Sequence, residues 1–211
     1  MEYYRELIRS IEELKRSPIR RIVEKRISEF RDLGRGESKE IFKELCFCIL
    51  CANYSAERAI KIQKRIDDDF ITLSCGELAE KLREAGHRFP NSRARYIVSA
   101  RKYYDSIKEI IESFDDPYRL RRWLVKNILG IGLKEASHFL RNIGFTDFAI
   151  IDFHILNLLD KYGVAEKPKT LTESRYLRIE EKLREISRYV GLNMAELDLY
   201  LWFMETRKIL K

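Results

Sequence analysis

Lys134 and Asp152 stand eighteen residues apart and are the pair in this chain best suited to covalent chemistry. Lys134 follows a Leu-Gly-Ile-Gly turn, Leu129 to Gly132, and is the second residue of a helix expected to begin near Leu133. The positive end of that helix dipole lies beneath its side chain, which favours a neutral amine over an ammonium. A neutral amine is a nucleophile. Asp152 closes the apolar run Ala149-Ile150-Ile151 and precedes Phe153-His154-Ile155-Leu156, so it is expected to start a helix. An acid there can cap the helix and also manage protons. Taken singly, Lys134 also suits plain phosphate contact and Asp152 plain capping. The pairing is the more specific signal.

The elements that must position this pair are helical. Apolar residues recur at helical spacing over Tyr3–Leu14, Ser38–Ala52, Ala56–Asp67, Ser74–Ala85, Ser92–Phe114, Tyr118–Leu129, Leu133–Asn142, Phe153–Lys161, Thr172–Val190 and Met194–Arg207. Glycines and prolines punctuate the gaps, and Ser74 with Glu77 and Asn193 with Glu196 have capping-box spacing. No strand pattern is present, so the fold class is all-α. The domain expectation is a central helical domain over 38–151, which includes the hairpin, and a second helical lobe formed by 1–37 and 152–211. A cleft between the two lobes suits that arrangement.

The helix–Gly130-Ile131-Gly132–helix segment reads as a helix-hairpin-helix. Its glycines tolerate backbone angles closed to other residues, and the next helix offers free amides to an anion. Such a turn grips a DNA phosphate without reading bases. A net charge of +7 over 211 residues points the same way, towards a polyanionic partner. Apolar runs such as Leu45–Ala52 fall far short of the roughly 20 residues that cross a bilayer. A soluble, intracellular and cytoplasmic protein without membrane partners is therefore expected. Cys46, Cys48, Cys51 and Cys75 lack a second converging pair, so they read as core residues rather than metal ligands. A single glutamine, Gln63, among so many charged residues resembles hyperthermophile composition.

At these residues the chain resembles the helix-hairpin-helix superfamily of DNA glycosylases, from about Phe42 to the C-terminus. It is most similar to the archaeal-type, second-class 8-oxoguanine DNA glycosylases. The resemblance rests on LCFCILCANYSA (Leu45–Ala56), HRFPNSRARYI (His87–Ile97), LGIGLKEASHFLRNIG (Leu129–Gly144), IIDFHI (Ile150–Ile155) and the tail LDLYLWFMETRKILK ending at Lys211. It implies a bifunctional glycosylase and AP lyase acting on double-stranded DNA that contains 8-oxoguanine. Lys134 would attack C1′ and form a Schiff base, and Asp152 would activate it and stabilise the cationic sugar. By the same resemblance Asn53 fills the void left by the flipped base, and Arg88 with Phe89 meets the opposite cytosine and the neighbouring stack. Trp202 would stack on the extruded purine, and Lys211 would read the guanine face through its terminal carboxylate. The base would sit in the cleft between the lobes.

Iron–sulfur relatives carry four cysteines near the C-terminus, whereas this chain has none after Cys75, so no cluster is expected. No cofactor is required on this reading. A monovalent cation on the hairpin carbonyls of Ile128 and Ile131 is a family expectation, and a monomer is expected. Arg93, Arg95, Lys126, Arg141 and Lys169 are candidate phosphate contacts. His87, His138 and His154 have no ligand spacing and read as packing or phosphate-contacting residues. Two other functions fit the hairpin: a glycosylase for another damaged base, and a non-enzymatic DNA-binding module.

Overall fold

A computed structural model of the chain describes residues 4–211. Tyr3, where the first expected helix begins, lies outside them. In chain order the helices are α1 (Arg5–Lys15), α2 (Ile19–Arg35), α3 (Ser38–Cys51), α4 (Ala56–Ile66), α5 (Asp69–Thr72), α6 (Cys75–Glu84), α7 (Pro90–Ala100), α8 (Ile107–Glu112), α9 (Pro117–Asn127), α10 (Leu133–Asn142), α11 (Phe153–Lys161), α12 (Glu173–Tyr189) and α13 (Met194–Thr206). No strand occurs among the described residues. The fold is all-α, as the apolar periodicity predicts.

Three elements differ from the sequence expectation, the shortest being α5, a single turn over Asp69–Thr72 that it does not include. Helix α2 has no counterpart in it, although Ile19, Val23, Ile27 and Phe30 are spaced four, four and three apart. Charged residues dominate the rest of that stretch, and pairs such as Arg20–Glu24 (2.7 Å) lie along its exposed side. The stretch 92–114 is not one helix. It divides into α7, a 3-10 turn at Arg101–Tyr103, and α8. Contacts from distant segments hold the break: Arg101 Nε donates to the Phe70 carbonyl (2.8 Å), and Ser38 Oγ donates to that of Asp105 (3.2 Å). Local periodicity carries no record of such contacts.

The chain forms two compact units, one of Asp32–Ile143 and one of the residues up to Arg31 with Gly144–Lys211. These boundaries differ from the expected 38–151 division at both ends. At Gly34, in the last turn of α2, an added β-carbon would lie 2.0 Å from the Ile143 carbonyl oxygen, so that turn packs with the inner unit. At the other end, Ile150 N–H donates to Asp198 of α13 (2.7 Å), which ties residues ahead of Asp152 to the terminal unit.

In the inner unit α3 is apolar on nearly every side and is therefore buried, with Phe42, Leu45, Phe47, Ile49 and Leu50 fully enclosed. Each such side chain contributes roughly 1.5–3 kcal/mol on burial. Cys46, Cys48 and Cys51 lie in the same helix and are buried, whereas Cys75, at the start of α6, is exposed. One acid, Glu44, is also enclosed. Its carboxylate accepts from Asn142 Nδ2 of α10 at 2.6 Å, and Asn142 Oδ1 accepts in turn from Arg141. In the terminal unit Val23, Ile27 and Phe30 pack with Ala195, Leu199 and Tyr200 of α13, and Ile209 of the tail lies against this cluster. No helix of the described residues is long and apolar enough to cross a membrane.

Candidate active site

In the inner unit the hairpin joins α9 to α10. Gly130 adopts φ +80°, a left-handed angle, and the Tyr96 ring of α7 packs directly over it. A β-carbon there would approach Tyr96 Cδ2 to 2.2 Å, so both the angle and the space demand glycine. Gly132 is different. Its φ of −102° is open to any residue, and an added β-carbon would meet only Glu135 Oε2 at 3.5 Å. The expectation that both glycines serve backbone angles is thus corrected for Gly132, which is exposed and leaves room above the start of α10.

Lys134 is the second residue of α10. Its Nζ lies 2.9 Å from Glu135 Oε1, with about a quarter of its side chain exposed. The other oxygen of Glu135 accepts the Gly132 N–H at 3.3 Å. One carboxylate therefore holds both the hairpin backbone and the amine. This contact between sequence neighbours was not anticipated from spacing.

Asn53, Arg88 and Phe89 also belong to the inner unit, and the fold brings them together. Asn53 is exposed and adopts φ +55°, which asparagine tolerates better than most residues. The carbonyl before it, on Ala52, accepts from Arg93 (2.5 Å), whose guanidinium lies over the Phe89 ring at 5.6 Å. Arg88 lies over the same ring at 5.0 Å. Phe89 is the N-cap of α7, and Pro90 opens the helix at a position where no amide hydrogen is needed.

The terminal unit holds Asp152, Trp202 and Lys211. Asp152 caps α11 through Oδ1, which accepts from the backbone of His154 (2.9 Å) and Ile155 (3.0 Å). The segment ahead of it is pinned twice. Asp198, 2 % exposed, accepts the Ile150 N–H, and Tyr176 donates from its hydroxyl to the Ala149 carbonyl (3.2 Å). Trp202 meets the His154 ring edge-on at 5.0 Å, so Asp152 and Trp202 are linked through one intervening residue, by its backbone on one side and its ring on the other. The indole N–H of Trp202 is buried without a hydrogen-bond acceptor among the described residues. After α13 the chain turns back at Arg207, φ +59°, and Lys211 ends the tail partly buried.

Asp198 and Tyr176 were missed as supporting residues. An acid within the apolar stretch Leu197–Leu201 was the available signal for Asp198, because a buried carboxylate must find donors. Two of the expected phosphate contacts are corrected: Arg93 and Arg141 are 7 % and 5 % exposed and bond to protein groups. Arg95, Lys126 and Lys169 are exposed. His138 packs against Phe47 at 5.5 Å.

A helical fold with a glycine hairpin, a lysine just beyond it and a helix-capping aspartate places the chain among helix-hairpin-helix proteins. Residues 23–192 match the family model described as 8-oxoguanine DNA glycosylase. Among curated proteins, the chain is 54% identical over 207 residues to the 8-oxoguanine DNA glycosylase/AP lyase of Korarchaeum cryptofilum, covering 98% of each. The crystal structure of the Methanocaldococcus jannaschii 8-oxoguanine glycosylase/lyase, in complex with a 15mer DNA containing 8-oxoguanine, matches with a TM-score of 0.94 and 53% identity. That match covers 97% of this chain and 99% of the other. The 8-oxoguanine DNA glycosylase of Thermotoga maritima matches with a TM-score of 0.92 at 44% identity, covering 99% of this chain and 100% of the other. The chain belongs to the 8-oxoguanine DNA glycosylase family.

Proposed function

We propose that the chain is a bifunctional 8-oxoguanine DNA glycosylase and AP lyase of base-excision repair, acting as a monomer on double-stranded DNA. The position of Lys134, in the first turn of α10 directly after the hairpin, is the observation that carries this reading. A non-enzymatic phosphate clamp needs the hairpin but neither a nucleophilic lysine nor a capping aspartate such as Asp152. A chromosomal substrate would put the enzyme in the cytoplasm.

On this reading the hairpin holds one phosphate and the target base leaves the stack, at a cost of a few kcal/mol. Asn53 occupies the space left behind, while Arg88 and Phe89 meet the opposite cytosine. Trp202 stacks on the extruded purine and Lys211 reads its guanine face. Lys134, once deprotonated, attacks C1′, and the glycosidic electron pair leaves with 8-oxoguanine, which takes up a proton. Asp152 receives the proton that the amine sheds and stabilises positive charge on the sugar. Ring opening yields a Schiff base, loss of a C2′ proton expels the 3′ phosphate, and hydrolysis returns the free lysine.

No organic cofactor or iron–sulfur cluster enters this scheme. The Ile128 carbonyl accepts a long hydrogen bond, 3.4 Å from Ile131 N–H, and with the Ile131 carbonyl it would be the candidate holder of a monovalent cation. Such a cation would neutralise charge on the gripped phosphate.

Borohydride should trap the protein covalently on a duplex with 8-oxoguanine opposite cytosine, and Lys134→Ala should abolish the trapping. Full trapping by that variant would overturn the lysine assignment. A panel of single-lesion duplexes fixes the substrate: preferential excision of another base would support a different glycosylase, and binding without excision a clamp.

A further inference from the structure

His87 has no part in the chemistry above, yet it is 4 % exposed and both of its ring nitrogens are engaged. Nε2 lies 3.1 Å from the Leu50 carbonyl, in the last turn of α3 and three residues ahead of Asn53. Nδ1 accepts the backbone N–H of Phe89 at 3.0 Å. A carbonyl only accepts and an amide N–H only donates, so the two contacts fix one tautomer, with the hydrogen on Nε2 and a bare Nδ1. The Tyr54 ring covers the imidazole at 4.1 Å between centroids, and its hydroxyl donates to the Gly86 carbonyl at 2.9 Å. Arg93 adds a second tie between the same segments, through the Ala52 carbonyl and the Phe89 ring.

We infer that His87 is a positioning residue which joins the Asn53 turn to the Arg88-Phe89 turn, so that both enter the duplex as one body. The inference rests on the assignment of Asn53, Arg88 and Phe89 to the void and the opposite strand. Filling the void and holding the opposite base must coincide with extrusion of the lesion, because each stabilises the same unstacked state. Slack between the turns lets one engage without the other, and the lesion then returns to the stack. Chemistry on an abasic site in single-stranded DNA needs no void filled and should be indifferent to this link.

The test separates the two bonds. His87→Gln places an amide within reach of the Leu50 carbonyl and leaves Phe89 N–H without its acceptor. His87→Asn can accept the amide two residues on, as asparagine does in turns, and gives up Leu50. Each variant should release 8-oxoguanine from duplex about tenfold more slowly in single turnovers, the effect of losing one well-placed buried hydrogen bond. Borohydride trapping on a single-stranded abasic oligonucleotide should stay within roughly twofold of wild type, since a lost positioning bond leaves the lysine chemistry intact. A 2-aminopurine beside the lesion should report slower unstacking. Unchanged duplex excision in both variants, with Asn53→Ala and Phe89→Ala impaired, would overturn the role of His87. Asn53→Ala and Phe89→Ala that leave duplex excision intact would overturn the underlying assignment. Equal losses on duplex and single strand would mean general damage and would also defeat the inference. Ring-nitrogen shifts of the wild-type protein give a check that no variant can spoil, since hydrogen on Nδ1 would contradict the link outright.

Discussion

At the scale of single residues, Asp152 has one duty in the structure, capping α11, and a second in the proposed mechanism, and the two are separable. Asparagine caps a helix about as well as aspartate, so Asp152→Asn should keep the bonds to His154 and Ile155 and shift stability by only a few tenths of a kcal/mol. Base release should nevertheless slow sharply, because the amide takes up no proton. Asp152→Ala should lose the cap as well, at about 1 kcal/mol. Denaturation midpoints compared with single-turnover excision will tell the two variants apart, and equal stability losses would argue against a separate chemical duty. Lys134 and Asp152 were legible in the sequence because a glycine turn and a helix start are local events. Asp198, Tyr176 and His87 were not. Each acts through a backbone group at least 25 residues away, to Ile150, Ala149 and Leu50, with no spacing rule to announce it.

At the scale of elements, the two hairpin glycines should respond unequally to the same substitution. Gly130→Ala must place a β-carbon into the Tyr96 ring at a left-handed angle, so a loss of about 2 kcal/mol or more is expected. Gly132→Ala meets ordinary contacts at an ordinary angle, and a loss under about 1 kcal/mol is expected. Urea melts of both variants decide the matter, and similar midpoints would mean that Tyr96 moves aside. Periodicity recovered most helices, because one buried stripe leaves a 3.6-residue trace. It failed at α2, where charge obscured the stripe, and at Arg101–Tyr103, where remote hydrogen bonds cut a helix that local preference would continue.

At the scale of the whole molecule, one buried group ties stability to pH. His87 titrates below its ordinary 6.5, chiefly because burial disfavours the charged ring; the Leu50 carbonyl opposes this and nearby Arg93 adds to it. The unfolded chain takes up a proton near 6.5 where the folded chain does not. The stability of the folded state is therefore complete above that pH and declines as pH falls from there towards the lower folded value. Thermal melts between about pH 7.5 and 5 should show this limb in the wild type and a flatter one in His87→Gln. Parallel slopes would mean that the ring acquires its proton without cost. Composition pointed to a basic chain with a polyanionic partner, and apolar periodicity pointed to helices. The unit boundaries at 31/32 and 143/144 could not be read from either, since they depend on tertiary contacts at Gly34 and Ile150.

The burial of Cys46, Cys48 and Cys51 alongside an exposed Cys75 gives the protein a built-in address for selective labelling. A maleimide dye should couple to one sulfur in the native state and to all four after denaturation. The same arrangement shields α3 from peroxide, a useful property for a protein whose proposed substrate is itself a product of oxidation. A fluorophore on Cys75, at the head of α6, would sit on the helix whose last turn leads through Ala85 and Gly86 to His87. It could therefore report on that segment without disturbing the core.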